Sequence, residues 1–525
     1  MEAHLDPKLF SSAASAKEWL KRLATEADGR KPVSLEEIQA VAGAHPDDLD
    51  VQHRAGNVMS LLGDHDSALQ FLKRALQLRP HFHFSELEIA LVHARSGRHD
   101  EARRWFENAI RAWPGFVPTY LHAGQLELGQ NRPQMALPYF LSAVALEPGN
   151  PRAIHNAFTI LSNSGQAVRA LDILRTGHRH GALDDMLRIE MVRLLGQLGF
   201  YDEVIQLSQQ LLPKPGSHLA AHVDVETGQA TMARSYDLDR VVLRAARREA
   251  TDRWLTGPGL AQRLREVIEQ AIPTSMVRFG DGEGRFLAQA DPDLPYELSP
   301  VHRRAIRDVI WFNWFGVTPD EDQLAHMDGL IRQVRRTIGT ADILGITSAG
   351  RLARDRAHFG YLAYLDTLVD QVAPWRSRSM LTDAMVHTSL HEQDPFLRGM
   401  LQGVKWLGVL SPHAELGARL RRHLGIADGQ DFNIPGEMRL PNEPALVRGR
   451  GHFPARFDEL MATLDVPFPG AVVLVAGGLL GKIYCERIRD RGGIAIDMGS
   501  LADAWMGYAT RPGQYRNQEF WRLPT

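Results

Sequence analysis

The sequence predicts a multidomain protein in which an all-helical repeat array precedes an α/β domain. Two observations predict this arrangement. Between about residues 34 and 212 the chain repeats alanine, proline and turn-forming residues every 34 positions. After residue 256, helical segments alternate with apolar, β-prone runs, of which residues 341–347, 405–411 and 470–478 predict buried strands. The chain has 525 residues, of which 44% are hydrophobic and 23% charged. This is the composition of a soluble globular protein, and the length suffices for about two to four domains.

The 34-residue period continues without a shift through the array. It is carried by alanines, by glycine or asparagine, and by prolines: Ala68, Ala102, Ala136 and Ala170; Gly63, Gly97, Asn131, Gly165 and Gly199; Pro80, Pro114 and Pro148. Alanine lets two helices cross closely, glycine and asparagine turn the chain between helices, and proline ends the second helix. The pattern resembles tetratricopeptide repeats, which stack as a solenoid. The resemblance implies a surface for a protein partner or for self-association.

The repeat phase is lost after residue 212, where a proline- and glycine-containing stretch is followed by a charged helical segment. The sequence therefore predicts three segments. A tetratricopeptide-like domain covers residues 1–212, a linker with a connecting helix covers 213–256, and an α/β domain covers 257–525.

Charge and composition exclude several classes of function. The net charge of −3 and the isoelectric point near 6.8 provide no basic surface of the kind that binds nucleic acid. The single cysteine, Cys485, excludes an intrachain disulfide and fits a reducing compartment. No segment approaches the ~20 apolar residues that a membrane helix needs. We therefore expect a cytoplasmic protein without a membrane span.

The most informative short segment covers residues 275–285, SMVRFGDGEGR. Its two carboxylates, Asp281 and Glu283, are separated by one residue and supply the hard oxygen ligands that Mg²⁺ or Mn²⁺ prefers. Glycines and arginines that suit a phosphate-binding turn flank the pair: Gly280, Gly282, Arg278 and Arg285. Asp-Gly is also a common surface turn, and the local sequence alone leaves both interpretations open.

Residues 471–500 predict a strand, a glycine turn, an amphipathic helix and a second strand that ends at Asp497. Such a βαβ unit belongs to a parallel sheet, where ligands gather at the carboxyl ends of the strands. The turn at Gly477 and Gly478, with Lys482 after it, suits a diphosphate. It is not a Walker A loop, because the glycine spacing is one short and Ile483 replaces the required Ser or Thr. Close helix–strand packing is an alternative role for these glycines.

Both ends of the second domain together resemble the GT-D class of bacterial glycosyltransferases. The signature S-x-x-R-[FY]-G-D-G-E is complete over residues 275–283, and residues 495–499, AIDMG, are similar to the closing A-I-D-I-G of that class. The resemblance covers about residues 257–510. It implies a Rossmann-like fold of the GT-D type, with Asp281 and Glu283 as the D-x-E motif that binds Mn²⁺ and, through it, the diphosphate of a UDP-sugar.

Two residues are candidates for the group that accepts the acceptor's proton. Members of the class continue after A-I-D-I-G with a histidine, whereas this chain has Ser500, so Asp503 becomes the nearest acidic candidate. Local hydrogen bonding at a helix start is an alternative role for Asp503. The second candidate is His387, which lies four residues from Asp383 and from His391, a spacing that places side chains on one face of a helix. An ordinary exposed helix face is the alternative.

The sequence thus favours a metal-dependent glycosyltransferase that takes a sugar from a nucleotide-diphosphate donor, with the repeats recruiting the acceptor. The predicted metal ligands are Asp281 and Glu283, the predicted catalytic residues are Asp503 and His387, and the predicted donor-binding residues are Arg278, Gly280, Gly282, Arg285, Gly477, Gly478, Lys482 and Asp497. The alternative is a non-catalytic repeat scaffold whose α/β domain binds a nucleotide or sugar during assembly of an envelope polysaccharide or appendage.

Overall fold

The structure is a computed structural model that describes residues 12–26, 34–211, 213–214, 216–292, 294, 297–372, 379–388, 394–436, 451–508 and 521–523. The chain divides into two compact units, Met1–Met191 and Val192–Thr525. The division predicted from the sequence, into residues 1–212, 213–256 and 257–525, is a division into segments that fold independently. It stays a prediction. None of the described helices is long and apolar enough to cross a membrane.

The described residues of the first unit form helices joined by short turns. The helices are α1 Ala13–Glu26, α2 Leu35–Ala44, α3 Leu49–Leu61, α4 His65–Leu78, α5 His83–Arg95, α6 His99–Ala112, α7 Val117–Gly129, α8 Pro133–Leu146, α9 Pro151–Asn163 and α10 Ala167–Arg179, with α11 Asp185–Leu198 at the boundary between the units. From α3 to α10, consecutive helices pack as pairs, in the order that the 34-residue period predicts.

The periodic residues occupy the positions that their chemistry requires. The four alanines of the period, from Ala68 to Ala170, are fully buried. The turns within the pairs use backbone conformations with positive φ, as at Gly97 (φ 75°) and Asn131 (φ 55°). The prediction of a helical solenoid is confirmed.

Two glycines of helix α7 allow a direct test of this packing. A side-chain carbon added at Gly124 would lie 2.7 Å from the ring of Phe140 in α8, whereas nothing lies within 4 Å of one added at Gly129. We expect Gly124→Ala to destabilise the array by about 1–3 kcal/mol through overpacking. Gly129→Ala should be neutral or stabilising by about 0.5–1 kcal/mol. Thermal unfolding followed by circular dichroism measures both, and equal melting temperatures would contradict the packing assigned to Gly124.

The second unit contains a sheet with helices around it. Its helices after α11 are α12 Tyr201–Leu211, α13 His218–Arg234, α14 Leu238–Glu249, α15 Gly257–Glu269, α16 Asp281–Ala288, α17 Pro300–Phe315, α18 Glu321–Thr340, α19 Ala349–Arg354, α20 Phe359–Val372, α21 Asp394–Met400, α22 Leu416–Leu424, α23 Phe457–Thr463, α24 Gly481–Asp490 and α25 Leu501–Trp505. Its strands are β1 Trp254–Leu255, β2 Thr274–Arg278, β3 Ile343–Ile346, β4 Met380–Asp383, β5 Leu407–Ser411, β6 Asp431–Asn433, β7 Val472–Val475 and β8 Ile494–Asp497.

Within the described residues the eight strands are parallel and follow the order β1-β4-β3-β2-β8-β7-β5-β6. From β2 the chain builds the sheet toward β3 and β4, and from β5 it returns through β7 to β8, which pairs with β2. The centre of the sheet is therefore a switch point, where the carboxyl ends of the strands form a crevice. The strands predicted within residues 341–347, 405–411 and 470–478 are confirmed as β3, β5 and β7, and the predicted α/β class is correct.

One local prediction is wrong. The four-residue spacing of Asp383 and His387 does not place them on one helix, because Asp383 is the last residue of β4 and His387 lies in a short 3₁₀ turn, Val386–Thr388. The Asp383 carboxylate accepts the backbone N–H of Met385 at 2.7 Å, and this local bond turns the chain after the strand. His391 lies outside the described residues.

Candidate functional site

The central strands bring several predicted residues to one edge of the sheet. Strand β2 ends at Arg278 and its neighbour β8 ends at Asp497. Strand β7, on the other side of β8, leads into the glycine turn and then into α24, which carries Lys482. Because all of these strands are parallel, their carboxyl ends meet at the same edge. The sheet therefore joins segments that are more than 200 residues apart in the chain.

Asp497 lies at the centre of a buried network of ion pairs and hydrogen bonds. Its carboxylate accepts the Lys482 ammonium at 2.8 Å and the Arg278 guanidinium at 3.3 Å. It also accepts the backbone N–H of Arg278 at 3.2 Å and that of Gly499 at 3.0 Å. Burial acts to raise the pKa of Asp497, but Lys482 and Arg278 outweigh it and lower that pKa to about 2. The carboxylate is therefore ionised and bonded on both oxygens.

Lys482 and His387 both belong to this network. The Lys482 ammonium also lies 3.1 Å from Oε1 of Glu283, and the two carboxylates raise the pKa of Lys482 although burial acts to lower it. Nη1 of Arg278 lies 2.6 Å from Nδ1 of His387. Burial, reinforced by Arg278, holds the pKa of His387 well below its ordinary value, so the imidazole is neutral and accepts this hydrogen bond.

The D-x-E turn opens helix α16 directly after β2. Gly280 precedes the helix in an extended conformation, and its N–H donates to Oε2 of Glu283 at 2.9 Å. Glu283 thus caps its own helix with one oxygen and faces Lys482 with the other. Asp281 points to a different group of side chains: its Oδ1 accepts Arg351 at 2.9 Å, and its Oδ2 lies 3.9 Å from Nε2 of His358. The two motif carboxylates therefore have different cationic partners.

Asp355 connects those two partners of Asp281. It accepts the guanidinium of Arg351 at 3.3 Å and Nδ1 of His358 at 2.9 Å. The pKa of Asp281 lies below its usual range because His358, Arg351 and Arg285 outweigh the opposing effect of burial. Burial acts to lower the pKa of His358, but the Asp355 hydrogen bond and the charge of Asp281 raise it above the ordinary value.

The glycines of both turns make close packing contacts. A side chain at Gly282 would meet Trp314 at 3.1 Å, and one at Gly477 would meet the backbone of Gly481 at 3.0 Å. Gly478 has φ 56°, in the left-handed region that favours glycine. Packing accounts for Gly282 and Gly477 and backbone conformation for Gly478, and their predicted contact with a diphosphate stays a prediction.

Arg285 and Asp503 lie apart from the Asp497 network in their described contacts. The Arg285 guanidinium lies 4.8 Å from the ring centroid of Tyr361. Asp503, in helix α25, pairs through Oδ1 with Nε2 of His413 at 2.9 Å, and His413 stacks on Tyr508. The His413 side chain is fully buried.

The sequence interpretation missed Arg351, Asp355, His358 and His413. Each follows the carboxyl end of a strand that the sequence did predict, since Arg351 comes soon after β3 and His413 soon after β5. The rule that ligands gather at these ends, applied to every predicted strand, would have indicated both segments.

The turn supplies carboxylate oxygens of the kind that a divalent metal takes at nucleotide sites, and in this structure both carboxylates face cations. Among the described residues, no three His, Cys, Asp or Glu side chains form a group that could hold a metal. The motif therefore offers two hard carboxylates rather than a closed cage. Mg²⁺ is commonly held by one or two carboxylates together with substrate phosphates and water, so this donor set has the required chemistry.

The buried network makes a test of Lys482 possible. We expect Lys482→Met to destabilise the second unit by about 3–5 kcal/mol, because Glu283 and Asp497 would lose their shared cation in a buried site. Lys405→Met, at an exposed lysine of the same unit, should change the stability by less than about 0.5 kcal/mol. Denaturant unfolding measures both variants, and equal losses would contradict the assigned network.

The ion pairs of Asp497 also predict that the stability of the protein depends on pH. The pKa of Asp497 falls from 3.8 to about 2 on folding, so its contribution to stability is complete above 3.8 and is lost as the pH falls toward 2. Unfolding measured across this range should show wild-type stability decreasing. A flat profile would contradict the ion pairs of Asp497.

Comparisons with known proteins agree with this architecture. A family model described as a GT-D fold-like domain matches residues 255–505, and two tetratricopeptide repeat models match residues 49–82 and 87–151. No curated protein matches the chain.

Solved structures are similar to part of the chain. YrrB, a TPR protein with an unusual peptide-binding site, is 19% identical over 36% of this chain and 98% of its own, with a TM-score of 0.28. PilF of Pseudomonas aeruginosa is 16% identical over 39% of this chain and 95% of its own, with a TM-score of 0.29. MamA is 16% identical over 31% of this chain and 92% of its own, with a TM-score of 0.26. The chain combines tetratricopeptide repeats, as the 34-residue period predicted, with a GT-D-like domain, as the motifs at residues 275–283 and 495–499 predicted.

Proposed function

We propose that this protein is a glycosyltransferase that moves a sugar from a nucleotide-diphosphate donor, a UDP-sugar by its resemblance, to a hydroxyl of a glycan or protein. One observation carries the proposal. The Asp281–Glu283 turn opens a helix at the carboxyl end of β2, the central strand of a GT-D-like domain, beside the end of β8. Ligands of open parallel sheets bind at such a switch point.

The reaction breaks the bond between the sugar and the diphosphate and forms a bond from the acceptor oxygen to the sugar. Asp281 and Glu283 would hold Mn²⁺ or Mg²⁺, which supplies positive charge for the departing diphosphate. Lys482 fixes the direction of Glu283, and Arg278 and Lys482 together fix Asp497. Lys482, Arg278 and Asp497 thus orient the turn, and Glu283 is the member of this network that would also hold the metal.

The acceptor hydroxyl must lose a proton, and Asp503 suits this role better than His387. The Asp503 side chain retains 14% exposure and is oriented by His413. His387 is buried, and its Nδ1 already accepts a hydrogen bond from Arg278. A group that accepts a proton must reach the hydroxyl, so geometry favours Asp503.

The repeats would recruit the acceptor or a protein partner, or would associate with a second copy of the chain, since solenoids of stacked helix pairs offer extended binding surfaces. We further propose the reducing cytoplasm as the compartment, in keeping with one buried cysteine, Cys485.

The metal motif gives the decisive test. We expect wild-type protein to bind UDP more tightly with Mn²⁺ than without it, and Asp281→Asn and Glu283→Gln each to remove the metal-dependent part, a loss of about tenfold or more, because a neutral amide is a poor metal ligand. Calorimetric titration with UDP measures this. Gln at position 283 still provides an oxygen for the Gly280 N–H, so the helix cap is retained.

Glu269→Gln, at an exposed glutamate of α15, is the matched control and should bind as wild type. Unchanged metal-dependent affinity in both motif variants would contradict the site. Slow release of UDP from a UDP-sugar without acceptor separates a transferase from a scaffold that only binds the nucleotide.

A further inference from the structure

The cations near the D-x-E turn fall into two groups that differ in exposure. The side chains of Arg278 and Lys482 are 9% and 4% exposed and are bonded to the buried Asp497. Arg351 and His358 are 22% and 36% exposed, and Asp281 between them is 30% exposed. A ligand that approaches from solvent therefore meets Arg351 and His358 before Arg278 and Lys482.

Strand β3 and the segment after it place these two cations beside the motif. Strand β3 pairs with β2, with Arg278 opposite Gly345. Helix α19 begins three residues after β3 ends and carries Arg351, and His358 follows in a 3₁₀ turn, Arg356–His358. The segment thus lies at the same edge of the sheet as Asp281.

Asp355 holds both cations in a defined position. Besides its bonds to the two side chains, it accepts the backbone N–H of His358 at 3.2 Å. The guanidinium of Arg351 is therefore positioned between Asp281 and Asp355, and the imidazole of His358 is oriented through Nδ1 with Nε2 directed toward Asp281. A guanidinium has five N–H donors in a planar fork, more than these carboxylate contacts use.

Asp281 does not depend on Arg351 alone, because His358 lies on its other oxygen. Arg351 can exchange its bond to Asp281 for one to an incoming anion while Asp355 still holds the guanidinium. A diphosphate is suited to this exchange, since phosphate oxygens accept the fork of an arginine in two parallel bonds.

We infer that Arg351, held by Asp355 and flanked by His358, binds the diphosphate of the donor at the solvent-facing side of the D-x-E turn. The inference rests on the proposed function for the identity of the donor, but the anion site itself is defined by these side chains. It assigns the diphosphate to the segment after β3, whereas Lys482 and Arg278 support the turn from within.

Arg351→Met tests this assignment with Arg354→Met as its matched control. Arg354 lies on the same helix and is exposed, and its replacement removes the same charge. Two probes are titrated by calorimetry: UDP in the presence of Mn²⁺, and inorganic pyrophosphate in metal-free buffer. We expect Arg351→Met to weaken both by about 10- to 100-fold, as for the loss of a charge-assisted hydrogen bond, and Arg354→Met to weaken neither by more than about twofold.

Arg351→Lys covers the case in which the methionine variant does not fold. It keeps a cation for Asp281 but loses the planar fork, so it should fold and bind UDP at least about threefold more weakly than wild type. Wild-type affinity in a folded Arg351→Met, or in Arg351→Lys when the methionine variant is unfolded, would overturn the inference. Equal weakening by Arg351→Met and Arg354→Met would also overturn it, because it would show only a general effect of charge.

The two proposals fail in distinguishable ways. Wild-type protein that binds UDP with no dependence on Arg351 would overturn the inference and leave the proposed function standing. Wild-type protein that binds pyrophosphate through Arg351 but binds neither UDP nor nucleotide sugars would overturn the proposed function and leave the anion site standing. Absence of binding for both probes would overturn both.

Discussion

The carboxylate of Asp497 joins the elements that meet at the centre of the sheet. It ends β8, accepts the side chain and backbone of Arg278 at the end of β2, and accepts Lys482 from the start of α24. Through Lys482 it also fixes Glu283 in α16. Such a group is costly to bury unless every lone pair is satisfied. Here four donors surround one carboxylate, so removal of any one of them leaves a lone pair of a buried charge unsatisfied.

The composition of this network divides the site into two layers. The buried layer contains two cations, Arg278 and Lys482, and two carboxylates, Glu283 and Asp497, so it is close to neutral and needs no ligand to be stable. The outer layer contains Asp281 with its own partners and keeps side-chain exposure. The ion pairs of the outer layer can be rearranged at a small cost in free energy, because solvent screens their charges. Of the two motif carboxylates, Asp281 therefore lies in the outer layer, and Glu283 connects the turn to the buried layer through Lys482.

The sequence predicted what local chemistry determines. The helical array followed from a period whose helix pairs contact mainly their neighbours, and the strands followed from apolar runs such as residues 341–347. It did not predict contacts that the sheet creates between distant segments. Arg351 meets Asp281 across 70 positions and His413 meets Asp503 across 90. The sequence pattern likewise could not predict where the Lys482 side chain points, since a lysine near a glycine turn can face a ligand or a buried carboxylate. The helix predicted around His387 does not form, because strand β4 ends at Asp383 and a short 3₁₀ turn follows.

The two sequence motifs at the ends of this domain are parts of one structural unit. The arginine of the first motif, Arg278, bonds the aspartate of the second, Asp497. Two glycines make room for its side chain: a side chain at Gly345 would lie 2.8 Å from Cγ of Arg278, and one at Gly499 would overlap a terminal nitrogen of its guanidinium. Gly499 also has φ 51°, which lets its N–H turn back to Asp497. The glycine that closes the second motif is thus explained by the arginine of the first, and the ion pair between Arg278 and Asp497 links the two motifs.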